Sequence, residues 1–181
     1  MDIILNYEPQ DDFEASDKAY MIRAYELFKE KLYFRQEFFH FTASGIVFNQ
    51  TKTKVLLIYH KIYDSWGWMG GHMDGEIDFN YVALKEIKEE SGLKNVDFIS
   101  KAPVSIEILP VWMHHKNGGV ISSHQHFNVS FAFMADENES LEVNSLETNG
   151  VKWVDISDID KVVREVDMLP IYHKIINRVL K

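Results

Sequence analysis

A glycine-rich loop followed by an acidic amphipathic helix constrains this chain more than any other feature of its sequence. The loop, residues 70–76, reads Gly-Gly-His-Met-Asp-Gly-Glu, and the pattern of residues 79–91 predicts the helix. Glu89 and Glu90 follow Glu86 by three and four positions, so the three carboxylates share one helix face. Like charges this close repel one another, and the pattern therefore predicts a partner that neutralises them.

A divalent cation is the expected partner. Mg²⁺ and Mn²⁺ are hard ions that prefer carboxylate, carbonyl and water oxygens. The sequence predicts Glu86, Glu89 and Glu90 as metal ligands, with the backbone carbonyl of Gly70 as a further ligand. The alternative is a solvated acidic helix face, which is common in a chain with 28 acidic residues and a net charge of −9.

The spacing of the loop and helix resembles the signature of the Nudix (MutT-like) hydrolases, G-x5-E-x7-R-E-U-x-E-E-x-G-U, in which U is apolar. The match covers residues 70–93. Glu76 stands one residue before the first Glu of the signature, and Lys85 stands in place of its Arg. In the family this Glu and Arg pair and brace the loop, and Lys cannot make the bidentate contacts of Arg. The departure therefore concerns the bracing pair more than the metal ligands, and we expect a local rearrangement of the loop.

The resemblance implies an α/β fold, a Nudix-type α/β/α sandwich with a mixed β-sheet between helices. It also implies a Mg²⁺- or Mn²⁺-dependent pyrophosphohydrolase in which water attacks phosphorus in a nucleoside diphosphate linked to another group X. The catalytic candidates are Glu86, Glu89 and Glu90, with either a helix carboxylate or Glu147 as the base; Glu139 and Glu142 compete with Glu147. The alternative is a non-catalytic Nudix-like module that binds a nucleotide.

The hydrophobic pattern predicts one domain over residues 1–181 with an N-terminal helical extension at about residues 11–38. The helix of this extension is expected from Asp12 to about Phe38. Further segments follow from periodicity and turn residues. Strands are expected at 42–48, 55–59, 96–100, 104–113, 124–134 and 150–156, helices at 157–165 and 168–180, and a loop at 61–69.

Two groups of residues are candidates for substrate binding. Strand alternation places His124, His126, Asn128 and Ser130 on one face, and His126 could donate to a substrate phosphate. An ordinary polar strand face is the alternative. A zinc site built from His124 and His126 with His114 or His115 is a second alternative, although the oxygen-rich acid cluster favours Mg²⁺.

The loop residues around the glycine pair are the other group. His72 is expected to orient the loop rather than to bind metal. Trp66 and Trp68 have faces suited to stacking on a nucleobase, although packing over the core explains them equally well.

Composition limits the partners and the location. The chain has no cysteine, which excludes disulfides and thiolate metal sites. The net charge of −9 argues against nucleic-acid polymers, so the expected partner is a small nucleotide diphosphate derivative. No apolar stretch is long enough to span a membrane, and the N-terminus lacks the features of a signal peptide, so we expect a cytoplasmic protein. The long N-terminal helix could form a homodimer interface.

Overall fold

A computed structural model of the chain describes residues 1–35, 37–61, 64–116, 118–142 and 148–181. The α-helices within these residues are α1 (Asp2–Leu5), α2 (Asp12–Phe28), α3 (Phe79–Ser91), α4 (Ile159–Val162) and α5 (Leu169–Leu180). The strands are β1 (Phe39–Asn49), β2 (Lys54–His60), β3 (Ser65–Gly67), β4 (Met69–His72), β5 (Val96–Phe98), β6 (Ser105–Val111), β7 (His114–Lys116), β8 (Gly119–Ile121), β9 (His124–Ala135) and β10 (Thr148–Asp155). Short 3₁₀ helices lie at Lys29–Tyr33, Ile156–Asp158 and Val166–Met168.

Eight of these strands form one mixed sheet. Its main order is β10-β2-β1-β9-β5, while β3 pairs with β2, β4 with β1, and β6 with β9. The pairing of β1 with β9 is parallel, and the other pairings within the described residues are antiparallel. Strands β7 and β8 form a separate hairpin. The two central strands are almost continuously buried, as expected when both faces of a sheet are covered.

Helices cover the sheet on both faces. On one face, α2 and α3 pack over alternate residues of β1, and the core there contains Phe41, Ala43 and Val47. On the other face, α4 and α5 pack over Ile46 and Phe48. The predicted α/β/α sandwich with a mixed sheet is therefore confirmed.

The predicted bounds of the acidic helix agree with α3. Asp78 caps its first turn, since the Asp78 carboxylate accepts the Tyr81 N–H at 3.2 Å. Gly92 ends the helix with a φ of 76°, the left-handed conformation that glycine adopts without steric cost. The helix lies very close to β1, because a Cβ built on Gly45 would be 2.4 Å from Ile87 Cδ1.

Several expectations about the elements were wrong. The N-terminal helix ends at Phe28 and not near Phe38, because Lys29 adopts a φ of 52° and the chain continues as a 3₁₀ helix. The next segment buries Leu32 and Tyr33 in the core instead of extending α2. The helix expected at 157–165 is a 3₁₀ turn followed by the four residues of α4. Strands β3, β4, β7 and β8 were not expected.

A buried carboxylate joins α2 to the rest of the fold. Glu14 is fully buried, and its carboxylate accepts the hydroxyl groups of Tyr7 and Ser105, each at 2.8 Å. It also pairs with Lys174 Nζ at 2.9 Å and with the guanidinium of Arg178, both on α5. One side chain thus links α2, β6 and α5.

The contacts of Glu14 determine its charge. Burial alone would raise its pKa, but donation by Arg178, the Gln10 N–H and Lys174 lowers the pKa of Glu14 from 4.5 to about 2. Because the folded-state pKa is depressed, the carboxylate stabilises the folded chain above about pH 4.5. This contribution is lost as the pH falls from about 4.5 towards 2.

The helices were also compared with the length of a membrane span. Among the described residues, no helix is both long enough and apolar enough to cross a membrane.

We predict that Glu14→Gln lowers the free energy of unfolding at pH 7 by about 3 kcal/mol, because the substitution leaves two buried cations with less compensating charge. Urea denaturation at pH 7 and at steps down to pH 3 measures this loss. The variant should lose less stability than the wild type between these pH values, since the titrating group is gone. Asp160→Asn, which removes an exposed contact to His173, is the control and should have a much smaller effect. Equal unfolding free energies for Glu14→Gln and the wild type would contradict the assignment.

Candidate active site

Two of the three helix acids lie directly against the glycine pair. The Gly70 N–H donates to Glu90 Oε2 at 3.1 Å, and Glu90 is 4% exposed. A Cβ built on Gly71 would lie 2.4 Å from Glu86 Cδ, so the Glu86 carboxylate occupies the space that any other side chain would need. Gly71 therefore permits the approach of Glu86 because it lacks a side chain.

The third acid is arranged differently. The Glu89 side chain is 54% exposed, and its Oε2 lies 3.6 Å from Lys85 Nζ. Lys85 Nζ is also 3.8 Å from Glu86 Oε1. Within the part of the chain that the structure describes, the three carboxylates do not converge as a ready-made metal site. Lys85 instead lies between two of them and offsets part of their charge.

The loop between β4 and α3 is braced by an arginine. Arg35 Nε donates to Asp74 Oδ1 at 2.7 Å, and a second N–H of the guanidinium donates to Asp74 Oδ2. This bidentate contact lowers the pKa of the Asp74 carboxyl. Glu76 instead accepts the N–H groups of Ile77 and Asp78 at 2.7 and 3.1 Å. The bidentate contact of Asp74 therefore ties the loop to the segment before β1.

A cavity of about 550 Å³ opens on the other side of β4. Gly70, Gly71 and His72 form part of its wall, whereas Glu86 and Glu90 are not among its lining residues and lie behind the glycines. The volume is within the range of sites for small molecules, roughly 300–1,000 Å³. Strand β4 therefore separates the two acids from the cavity, and its residues at this place, Gly70 and Gly71, have no side chains.

Hydroxyl and amide groups line the floor of this cavity. Thr42 Oγ1 and Ser44 Oγ both donate to Asn128 Oδ1 at 3.0 Å. Asn128 Nδ2 donates in turn to Ser130 Oγ at 2.9 Å. The core side of β9 holds its intervening apolar residues, among them Phe127. The alternation predicted for residues 124–131 is confirmed.

Four histidines gather at one end of the same floor. His40 comes from β1, His72 from β4, and His124 and His126 from β9; their potential ligand atoms all lie within 4.8 Å of one another. Burial, followed by the neighbouring histidines, lowers the pKa of His126 to about 2, and burial also lowers the pKa of His40. His126 is therefore uncharged at neutral pH, so one ring nitrogen donates a hydrogen bond and the lone pair of the other can accept one or bind a metal ion.

The histidine group differs from the alternative considered from the sequence. His114 and His115 lie on β7 and do not belong to the group. His40 was missed because the strand was expected to begin at Thr42, whereas β1 begins at Phe39. The signal was present, since His40, Thr42 and Ser44 alternate in the same way as the polar residues of β9.

The remaining predicted residues occupy different positions. Trp68 is 8% exposed, lines the cavity and packs on Tyr172 with ring centroids 5.0 Å apart. Trp66 is not a lining residue of this cavity; its ring packs edge-on against Tyr59, and Lys152 Nζ lies 4.1 Å from its centroid. Glu147 lies outside the described residues, so its role as a base stays a prediction.

The family of the chain follows from a comparison with known domains. The family model of the NUDIX domain matches residues 39–175, which is well over half of the chain. The chain therefore belongs to the Nudix family, and the family resemblance of residues 70–93 is confirmed. A search of curated proteins gave no match.

Solved structures share the fold at low sequence identity. An Ap4A hydrolase from C. elegans, solved as a binary complex, is 17% identical with a TM-score of 0.54, covering 74% of this chain and 93% of its own. The NUDIX domain of Shewanella oneidensis NrtR, complexed with ADP ribose, is 18% identical with a TM-score of 0.52, covering 77% and 87%. A NUDIX-family hydrolase from Clostridium perfringens is 22% identical with a TM-score of 0.53, covering 78% and 98%. These similarities establish the fold.

We predict that Gly71→Ala and Gly70→Ala have different consequences. The added methyl of Gly71→Ala meets only the flexible end of Glu86, so stability should change by less than about 1 kcal/mol while the carboxylate is displaced. In Gly70→Ala the methyl meets Ser44 Cβ at 2.6 Å and the Ala43 carbonyl oxygen at 2.9 Å, so stability should fall by about 1–3 kcal/mol.

Chemical denaturation and titration with Mn²⁺ separate these effects. Gly71→Ala should weaken Mn²⁺ binding at nearly unchanged stability, and Gly70→Ala is the matched comparison on the neighbouring residue. A Gly71→Ala variant with wild-type Mn²⁺ affinity would show that the position of Glu86 does not matter for the ion.

Proposed function

We propose that the protein is a divalent-cation-dependent hydrolase that cleaves the diphosphate linkage of a nucleoside diphosphate joined to another group. The observation that carries this proposal is the position of Glu86 and Glu90 against Gly70 and Gly71, at the wall of a cavity large enough for a nucleotide. Carboxylates that hold a cation against a bound diphosphate must come close to the cavity, and bulky side chains between them and the cavity would prevent this.

The donor set fits Mg²⁺ or Mn²⁺. Mg²⁺ keeps several waters and needs only one or two carboxylates from a protein, so Glu86 and Glu90 with the Gly70 carbonyl are sufficient. Glu89 would join them only after leaving Lys85. When bound, the cation would neutralise charge on the diphosphate and lower the pKa of a bound water.

Other residues of the chain would hold the substrate. Thr42, Ser44 and Asn128 offer hydroxyl and amide groups to phosphate or ribose oxygens, while Trp68 and Tyr172 provide an aromatic wall for a base. Two structural neighbours, an Ap4A hydrolase and a NUDIX domain complexed with ADP ribose, support a nucleotide ligand. The base that activates water would be a helix carboxylate or Glu147.

A non-catalytic nucleotide-binding module is the second candidate function. It is favoured by one observation: Glu89 is half exposed and contacts Lys85, so the acid set does not converge. Such a module would bind the same ligands in the cavity without turning them over.

The test is a hydrolysis assay with a panel of nucleotide diphosphate derivatives and Mg²⁺ or Mn²⁺. We expect turnover of one class by the wild type and a loss of at least about a hundredfold in kcat/KM for Glu86→Gln and Glu90→Gln, because each removes a charged ligand but keeps its shape. Gln at position 90 can still accept the Gly70 N–H, so folding should be preserved.

The control is Glu26→Gln, the same change at an exposed position of α2, which should leave kcat/KM unchanged. The hydrolase proposal would be wrong if a panel member bound tightly without turnover and bound equally well to the wild type and to Glu90→Gln. The binding module would then be the better description.

A further inference from the structure

We infer that His40, His72, His124 and His126 form a second cation site, for a transition metal ion such as Zn²⁺. The inference concerns ligands other than the helix acids and does not depend on the proposed hydrolysis. Three strands contribute to the group, and their pairing sets the positions: His40 is the register partner of His126, and His72 is the partner of Thr42, two residues after His40. The group is therefore built by the sheet and not by a loose surface segment.

The ring of His40 lies close to the other three rings of the group. The ring centroid of His40 lies 5.0 Å from that of His72 and 5.1 Å from those of His124 and His126. His72 and His126 are 4.8 Å apart. Their potential ligand atoms lie within 4.8 Å of one another. A tetrahedral ion with Zn–N bonds near 2.0 Å needs nitrogens roughly 3.3 Å apart, so small ring movements suffice.

The hydrogen bonds already present orient the rings for coordination. His40 Nδ1 faces the Glu37 carbonyl at 3.3 Å, and His124 Nδ1 faces the Ser122 carbonyl at 2.8 Å. A carbonyl only accepts, so each Nδ1 carries the hydrogen and each Nε2 has a free lone pair in the neutral ring. Donation of the other ring nitrogen to a backbone carbonyl is the usual arrangement of a metal-binding histidine.

Within the described residues, one buried nitrogen atom of the group lacks a partner. His40 is only 4% exposed, and its Nε2 has no hydrogen-bond partner there. A buried polar atom without a partner is costly. The Nε2 atoms of His124 and His126 are 3.2 Å apart, so the lone pair of His124 Nε2 can accept a hydrogen from His126 Nε2. A cation at the centre of the group would replace this contact and would also give His40 Nε2 a partner.

The ligand type selects the metal. Imidazole nitrogen suits Zn²⁺ and related transition ions, whereas Mg²⁺ prefers oxygen. The group contains no carboxylate. Since these side chains also line the cavity, an ion held there would lie beside a bound ligand.

The test is titration of the metal-free full chain with Zn²⁺ and Co²⁺ in the presence of excess Mg²⁺. We expect one equivalent of tight binding, a visible Co²⁺ absorption typical of tetrahedral nitrogen ligation, and a rise in the melting temperature with Zn²⁺. His72→Asn and His124→Asn alter partly exposed rings and should weaken binding at least about tenfold. His40→Asn should do the same if circular dichroism shows it is folded.

Exposed histidines provide the controls. His115→Asn and His173→Asn should bind like the wild type, and Glu86→Gln with Glu90→Gln should keep the Co²⁺ spectrum, because the acids are not ligands of this ion. Absence of stoichiometric binding, or binding that the His72 and His124 substitutions leave unchanged, would overturn the inference. A Co²⁺ signal that excess Mg²⁺ abolishes would assign the ion to the helix acids instead.

Discussion

The parallel pairing of β1 with β9 is the constraint on which both the core and the cavity depend. Its register runs from Phe39 opposite Gln125 to Asn49 opposite Ala135 without a break. Phe41 and Phe127 thereby meet in the core beneath α2 and α3, while Thr42 and Asn128 meet on the cavity side. A slip of one residue would move each set to the opposite face. The apolar core therefore enforces the arrangement of the polar floor.

Strand β4 has a comparable role on a smaller scale. Gly71 faces the Glu86 carboxylate, and the next residue, His72, belongs to the histidine group on the cavity side. Because successive residues of a strand point to opposite faces, β4 separates a set of carboxylates on one face from a set of imidazoles on the other. A larger side chain at position 71 would displace the Glu86 carboxylate, and one at position 70 would meet Ser44 and the Ala43 carbonyl, so both glycines are required for the close packing of β4.

The sequence was sufficient to predict the elements that carry their own signals. Helix α3 has its cap, its apolar stripe and its terminal glycine in local sequence, and β9 has clear alternation. Strand β4 is only four residues long and is defined by its partner β1, which no local pattern reveals. His40 was missed for the same reason, since the pairing with β9 decides where β1 begins. The role of Glu14 depends on Arg178, which is 164 positions away. In the local sequence Glu14 cannot be told from an ordinary exposed acid of an amphipathic helix.

The segregation of ligand types has a chemical consequence for the cavity. The chain has no cysteine and eight histidines, and half of these histidines form one group on the sheet. Oxygen ligands on one side of β4 favour a hard ion, and nitrogen ligands on the other favour a borderline one, so the two sides differ in the ion that they prefer. Gly71 and His72 are covalently linked, and a movement of β4 that adjusts one ligand set also moves the other. The two sides of β4 thus carry chemically distinct ligands that move together. A ligand in the cavity would contact the histidine side and would be separated from the acids only by the glycines of β4.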